Sequence, residues 1–375
     1  GIDYGCRPDI EAAYGDKLRP MDAFKDSAPA ELVDCVGHDD LMVLMFTSGT
    51  TGRSKAVMLS ERNFFTTVEC QVKFGDAMLD YKHEHMPEDK NDVLSNFAIL
   101  PLFHLGTFIC LFVWACKGWA LNLSADIRDF YRDLGLMHSD AIAVAPMLME
   151  AIYKDVKRGR RARLNGIWNP CGSSAMFDGA MLAELARQGM MITQVYGMTE
   201  TCGDGIINYE QDEKHIRAVG KPDDHAEYKL DETGEICIRG GCVMLGYYKD
   251  PEATAEVLDA DGWFHTGDLA RVDEDGFYYI TGRKKNIIIL DNGENVSPEE
   301  LENLLSKCEA VKECIVREKG KKICAVIYCG EADQQTVRDF ITETNRTLPL
   351  YKRMSAVEFS TEPLPRTGTG KLLRK

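Results

Sequence analysis

The chain has 375 residues, enough for two or three domains with sizeable cores, and its 45% apolar and 28% charged residues are the balance of a soluble globular protein. Lysine and arginine number 44 against 60 aspartates and glutamates, a net charge of −16 with no lysine-rich tract, which argues against a nucleic-acid or anionic-membrane partner. Thirteen cysteines without a Cys-x-x-Cys pair or regular spacing argue against disulfides and zinc ligation. With Cys110, Cys116, Cys237, Cys314 and Cys324 in apolar segments, they read as reduced core thiols of a cytoplasmic protein.

In chain order, the opening residues are polar and turn-rich, start on Gly1 without a signal peptide, and read as the start of a fragment or trimmed product. The apolar run 41–46 predicts a buried strand. It is followed by Thr47-Ser48-Gly49-Thr50-Thr51-Gly52-Arg53-Ser54-Lys55. Residues 56–59 are strand-like, and Ser60 before Glu61 is a good N-cap for a helix over 61–78. A charged segment, 80–92, is expected to be exposed, and 93–100 to be a strand. The stretch 105–116, between His104 and Lys117, is too short to span a bilayer and suits a buried helix, so no transmembrane segment is expected. A strand at 141–145, a helix at 177–188 and a strand at 190–195 complete an alternation that argues for α/β architecture with a largely parallel sheet.

From Ala218 short strands such as 235–239 and 276–280 alternate with Gly and Asp turns, as in a small β-rich subdomain. Past Gly282-Arg283-Lys284-Lys285 comes a further α+β unit. It comprises a strand at 287–290, a helix capped at Ser297 with Pro298 in its first position, two strands, and a helix over 334–345. The expected division is therefore 1–217, 218–283 and 284–375, with a hinge at 284–286.

Five segments carry chemistry. In 47–55, glycines free backbone N–H groups to face an anion while hydroxyls and Lys55 add donors and charge, a combination suited to polyphosphate. The spacing is not that of a Walker A loop, and a plain surface turn is the alternative. Tyr196-Gly197-Met198-Thr199-Glu200 follows a strand, where α/β proteins place ligands. Its tyrosine offers a flat face to a purine, and Thr199 and Glu200 offer oxygens to phosphate-bound Mg²⁺; an ordinary strand-to-loop turn serves equally. In His265-Thr266-Gly267-Asp268 the carboxylate could accept from both hydroxyls of a ribose, or simply cap a β-turn. Arg283, Lys284 and Lys285 form either a site at a domain boundary or a solvated charge run. Arg366-Thr367-Gly368-Thr369-Gly370-Lys371 can deliver a lysine to a distant site, or be a polar tail.

Taken together and in this order, the five segments resemble the adenylate-forming enzymes: acyl-CoA synthetases, peptide-synthetase adenylation domains and beetle luciferases. The resemblance runs from about Asp39 to Lys375, and the segment 282–298 looks most like the long-chain fatty acid synthetases. It implies the acyl-adenylate-forming fold: a large α/β domain with a small β-rich subdomain, plus a smaller, mobile C-terminal α+β domain. It implies that Thr47, Ser48, Gly49, Thr50, Thr51, Gly52 and Lys55 hold the β- and γ-phosphates of ATP, with Thr47 also near the metal. It further implies that Tyr196 and Gly197 pack on adenine beside Gly172, Ser173 and Ser174, that Thr199 binds phosphate, and that Glu200 holds Mg²⁺. Asp268, assisted by Arg283, would take the ribose of ATP or AMP. Lys371 would be the catalytic lysine, Lys285 the hinge residue, and His104 would line the acyl pocket. Ser173 departs from the glycine usual in relatives, and only 46 residues precede Thr47, so the N-terminal part of the large domain is expected to be missing.

The activity this implies is an ATP-dependent acid–thiol ligase that activates a carboxylic acid, fatty or aryl, and passes the acyl group to coenzyme A. Alternatives are an adenylation enzyme loading an acyl carrier protein, a truncated nucleotide-binding protein without turnover, and, as an outsider, a phosphoryl-transfer kinase. The acyl pocket is expected along 97–108, 141–149 and 171–199.

Overall fold

The computed structural model describes residues 37–47, 55–124, 126–173, 177–203, 205–290, 294–320, 322–366 and 372–373. The chain divides into two compact units after Gly37, and the described elements belong to the second, His38–Lys375. Ser48 to Gly52, Ser174 and Lys371 lie outside the described residues, and Ser173 is described by its backbone alone.

Leu41–Thr47 (β1) and Lys55–Ser60 (β2) pair antiparallel, with Thr47 opposite Lys55, so the glycine-rich segment joins the two arms of a hairpin. The predicted burial of 41–46 does not hold: only Met45 is buried, and Phe46 is 72% exposed. β2 is the middle strand of its three-stranded sheet, so Val57 and Leu59 enter the core while β1 lies at the edge. Ser60 caps Glu61–His85 (α1) as its sequence predicts. Its hydroxyl accepts from the Asn63 N–H, and the Asn63 side chain accepts from the Ser60 N–H.

That helix runs two turns beyond the predicted 61–78, into the charged segment expected to be exposed. The reason is Lys82, 1% exposed, whose stem packs inward while its ammonium bonds Asp89 at 3.0 Å and the Asn91 carbonyl.

The central sheet consists of Ser95–Ala98 (β3), Ala120–Leu123 (β4), Ala141–Val144 (β5), Asn169–Ser173 (β6), Thr193–Gly197 (β7) and Gly205–Asn208 (β8). Its order is β4-β3-β5-β6-β7-β8, parallel except for β8 against β7. Helices Leu105–Lys117 (α2), Phe130–Leu136 (α3), Pro146–Lys157 (α4) and Gly179–Arg187 (α5) connect the strands. Phe64, Met78, Ile109 and Val113 of α1 and α2 form one core with Leu94, Trp168 and Met191. A second core joins Phe97, Ile142 and Val144 to Phe130, Leu148, Ile152 and Leu182 of α3 to α5. Helices thus cover both faces, which is why β3, β5 and β8 are buried almost throughout, polar residues included.

The antiparallel sheet β13-β12-β10-β9 follows, built of Ala226–Leu230 (β9), Glu235–Gly240 (β10), Phe264–Val272 (β12) and Tyr278–Arg283 (β13). Between them Gly246–Tyr247 (β11) leaves this sheet to pair with β2, and Pro251–Ala255 (α6) follows it. The last part holds the hairpin Ile288–Ile289 (β14) and Asn295–Val296 (β15), then Pro298–Leu305 (α7) capped by Ser297. Glu313–Lys319 (β16), Lys322–Tyr328 (β17) and Ala356–Ser360 (β18) form a sheet with Gln334–Thr347 (α8), around a core of Leu301, Leu305, Val316, Ile327 and Val337. Among the described residues no helix is long and apolar enough to cross a membrane. The described cysteines are free thiols; Cys116, expected in the core, is exposed on the last turn of α2.

Candidate functional site

The order of connection in the central sheet reverses at β3: the chain steps outward to β4, then returns across β3 to β5. In an open α/β sheet such a reversal opens a crevice outside the carboxyl ends of the strands. The segments after β3 (Pro101 to His104), β5 (Ala145), β6 (Ser173) and β7 (Gly197 to Glu200) all leave from this edge.

Two groups of predicted residues meet there. In the first, Tyr196, near the end of β7, donates its hydroxyl to Asp268 Oδ2 at 3.1 Å, and Arg283 Nε lies 2.5 Å from Asp268 Oδ1. Asp268 and Arg283 are cross-strand partners on β12 and β13, so sheet register sets the ion pair. Asp268 is only 5% exposed, while the Arg283 side chain is half-buried. Burial first, and the Asp268 charge second, raise the Tyr196 phenol well above its ordinary value, so it stays a donor. Gly267 makes the turn before Asp268 at φ 73°, a conformation that favours glycine.

In the second group, Thr199 and Glu200 lie on a single helical turn after β7. Tyr247 donates its hydroxyl to Glu200 Oε1 at 2.9 Å, and the Lys55 ammonium stands 4.3 Å from the Tyr247 ring centroid. The contact exists because β11 pairs with β2, setting Tyr247 opposite Val57. Burial, then the Glu200 charge, raises the Tyr247 phenol. Among the described residues Tyr247 is the sole side-chain donor to Glu200, which leaves Oε2 open; a hard cation that takes one or two carboxylates fits this arrangement. Thr47 meets the same hairpin through a long bond, 3.5 Å, from its hydroxyl to the Lys55 carbonyl.

The other predicted residues lie apart from these contacts. Gly172 is in the sheet next to β7, and the space over its α-carbon is filled by Phe177: a Cβ there would come within 2.4 Å of the ring. His104 is exposed at the start of α2, beside Phe103, which is 80% exposed. Lys285 is exposed in the turn 284–286. Much of the expected acyl lining is core instead: Phe97, Ile142, Val144 and Met149 are fully buried against α3 to α5. Two surface clefts, of about 180 and 230 Å³, are lined by residues such as Cys70 and Tyr209 or Tyr81 and Gln211, and by none of the predicted site residues.

Two residues of this region, Tyr247 and Glu235, escape a reading of the sequence for motifs. Tyr247 bridges two motifs, and no local pattern marks it. Glu235, 3% exposed, accepts from the Gly267 N–H at 2.7 Å and from the Lys284 ammonium at 2.7 Å. Lys284, whose ammonium is held raised by Glu235, thus ties the Asp268 turn to the segment beyond β13. The one signal for Glu235 is its alternation with Cys237 on a single strand face.

Comparison with known proteins accords with this architecture. The family model described as AMP-binding enzyme matches residues 8–248, and that described as AMP-binding enzyme C-terminal domain matches residues 300–371. The 4-coumarate–CoA ligase 3 of Oryza sativa subsp. japonica is 30% identical over 94% of this chain and 66% of its own length. The long-chain-fatty-acid–CoA ligase of Salmonella typhimurium is also 30% identical, over 90% of this chain and 61% of its own. The long-chain enzymes are therefore one of several similar groups and not a special match. The chain spans about two thirds of the length of these relatives. Among solved structures, o-succinylbenzoate CoA synthetase from Bacillus subtilis with its acyl-adenylate intermediate aligns at a TM-score of 0.75 and 25% identity, over 97% of this chain and 75% of that one. The same enzyme with ATP and a magnesium ion aligns at 0.72 and 25%, over 93% and 72%. With a matching family model over more than half its length and this fold, the chain belongs to the AMP-binding enzyme family.

Proposed function

We propose that this protein is an ATP-dependent acid–thiol ligase: a carboxylic acid attacks the α-phosphate of ATP, pyrophosphate leaves, and the thiol of coenzyme A takes the acyl group while AMP departs. The observation that carries this reading is the convergence of Tyr196 and Arg283 on buried Asp268, with Glu200 linked through Tyr247 to Lys55. A ribose on Asp268, adenine beside Tyr196 and phosphates reaching Lys55 would follow one edge of the sheet. Magnesium would be held by Glu200 and Thr47 and would neutralise charge on phosphate oxygens. The acid is fatty or aryl, since the segments after β3 and β5 are apolar and the relatives named above act on both kinds. His104 would line its pocket.

Lys371 would stabilise charge in the first step, and residues 284–375 would swing about Lys285 to admit the thiol for the second. The test is to incubate the chain with MgATP, coenzyme A and acids of graded length, aryl acids included, and to identify the nucleotide released. AMP with pyrophosphate, plus a hydroxamate when hydroxylamine replaces coenzyme A, is expected. Release of ADP with phosphate would overturn the reading.

A further inference from the structure

Glu235 and Cys237 alternate on β10, so both side chains stand on one face of the sheet, and His265 of β12 is the cross-strand partner of Cys237. Asp231, in the turn between β9 and β10, closes the group. Cys237 Sγ lies 3.5 Å from His265 Nδ1, and Glu235 Oε2 lies 3.5 Å from the same nitrogen. Donor atoms of Asp231, Cys237 and His265 all fall within 4.8 Å of one another.

Tetrahedral zinc with bonds of about 2.3 Å to sulfur and about 2.0–2.1 Å to nitrogen and oxygen sets its donors roughly 3.4–3.6 Å apart. We propose that this place, where the turn after β9 meets β10 and β12, is a binding site for a zinc-class divalent cation, held by Cys237, His265 and Asp231 with water in the fourth position.

Three further features suit the role. Cys237 and His265 sit on adjacent strands of one sheet, which holds them more rigidly than loops would. Asp231 Oδ1 is pinned by the N–H groups of Thr233 and Glu235, at 2.8 and 2.9 Å, which fixes the carboxylate plane. The other ring nitrogen of His265, Nε2, stands 3.6 Å from Asp259 Oδ2, the outer carboxylate that orients a ligating imidazole. A cation is already drawn to this place: the Lys284 ammonium is 2.7 Å from Glu235 Oε2 and 3.5 Å from Asp231 Oδ2. An ammonium satisfies the two carboxylates but makes no use of a thiol and an imidazole, which are the softer donors a zinc-class ion selects. The incoming ion therefore competes with Lys284 and displaces the Cys237 proton to solvent, forming metal–sulfur, metal–nitrogen and metal–oxygen bonds without change of oxidation state.

The test uses the full chain, reduced and freed of metal, titrated with Co²⁺ and then Zn²⁺. One equivalent of Co²⁺ should produce a thiolate-to-cobalt charge-transfer band that Zn²⁺ abolishes. Cys237→Ser should remove the band. Cys237→Ser and His265→Gln should each weaken Zn²⁺ binding by more than the about 10–100-fold that loss of an outer partner costs. Melting curves without metal establish that each variant is folded. Lys284→Gln should bind Zn²⁺ more tightly, because its competitor is gone. Absence of the band, or a band that survives Cys237→Ser and vanishes in Cys70→Ser (the cluster Cys70, Asp223 and His225), would overturn the site. Unchanged affinity in Lys284→Gln would overturn the competition. None of these readouts depends on ligase activity.

Discussion

Tyr247 shows how one side chain can join motifs that are remote in sequence. Its hydroxyl fixes one oxygen of Glu200, and its ring underlies Lys55. In the ligase reading, Tyr247→Phe keeps the ring and loses the donor. A net hydrogen bond is worth about 0.5–1.5 kcal/mol, so the KM for MgATP should rise roughly 2–10-fold with little change in melting temperature. Tyr247→Leu removes both contacts, and its effect on KM should not exceed the combined effects of Tyr247→Phe and Lys55→Met, since the two contacts share this ring. At Asp268, substitution by Asn keeps an acceptor for Tyr196 but gives up the ion pair with Arg283. Charge-assisted bonds are worth about 1.5–3 kcal/mol, so pyrophosphate release should fall by about 10–100-fold.

Elements with strong local chemistry are legible in the amino-acid sequence alone. Ser60 and Ser297 cap helices where their neighbours say they should, and the alternation between 93 and 197 does form a largely parallel sheet. What is not legible depends on contacts across the chain. An apolar run cannot tell whether its strand will be central or at an edge, so 41–46 reads as core yet buries only Met45. A charged run cannot tell that one of its lysines will be drawn inward, as Lys82 is. Lys82→Met should keep the packed stem but leave the Asn91 carbonyl without its donor, and urea unfolding should register a loss of about 1–3 kcal/mol. Donors on separate strands and a turn show no motif spacing, which is why the cysteine pattern points away from the metal site now proposed.

A further element-scale effect joins the turn at 212–216 to the turn before β13. His215 bonds Asp212 at 2.9 Å and Asp275 at 3.1 Å and stacks on Phe277, with Lys214 and Asp273 close by. The Asp212 hydrogen bond foremost raises the His215 pKa, so the folded protein holds this proton more tightly than the unfolded chain. That stabilisation is complete below about pH 6.5, the unfolded value, and is lost as pH rises through the folded one. Asp275, lowered by Lys214 and then by His215, works oppositely: its contribution is present above the ordinary carboxylate range and fades in acid. The melting-temperature gap between the native chain and His215→Gln should therefore be widest below about pH 6.5 and narrow as pH rises above it.

At the scale of the whole molecule, the proposed ligase needs groups from three sheets and from the far C-terminal segment. Lys371→Ala should lower adenylate formation by at least about 10²-fold while largely sparing thioester formation from pre-made acyl-AMP; equal loss of both steps would contradict a two-conformation cycle. The pairing of β11 with β2 carries a consequence for biosynthesis. Val57 finds Tyr247 only after most of the polypeptide has been made, which at ~5–20 residues per second takes the ribosome on the order of 10–40 s. Throughout that interval the nascent hairpin has an open flank, so ribosome-bound chains stopped before residue 247 should recruit chaperones, and those extended past it should release them.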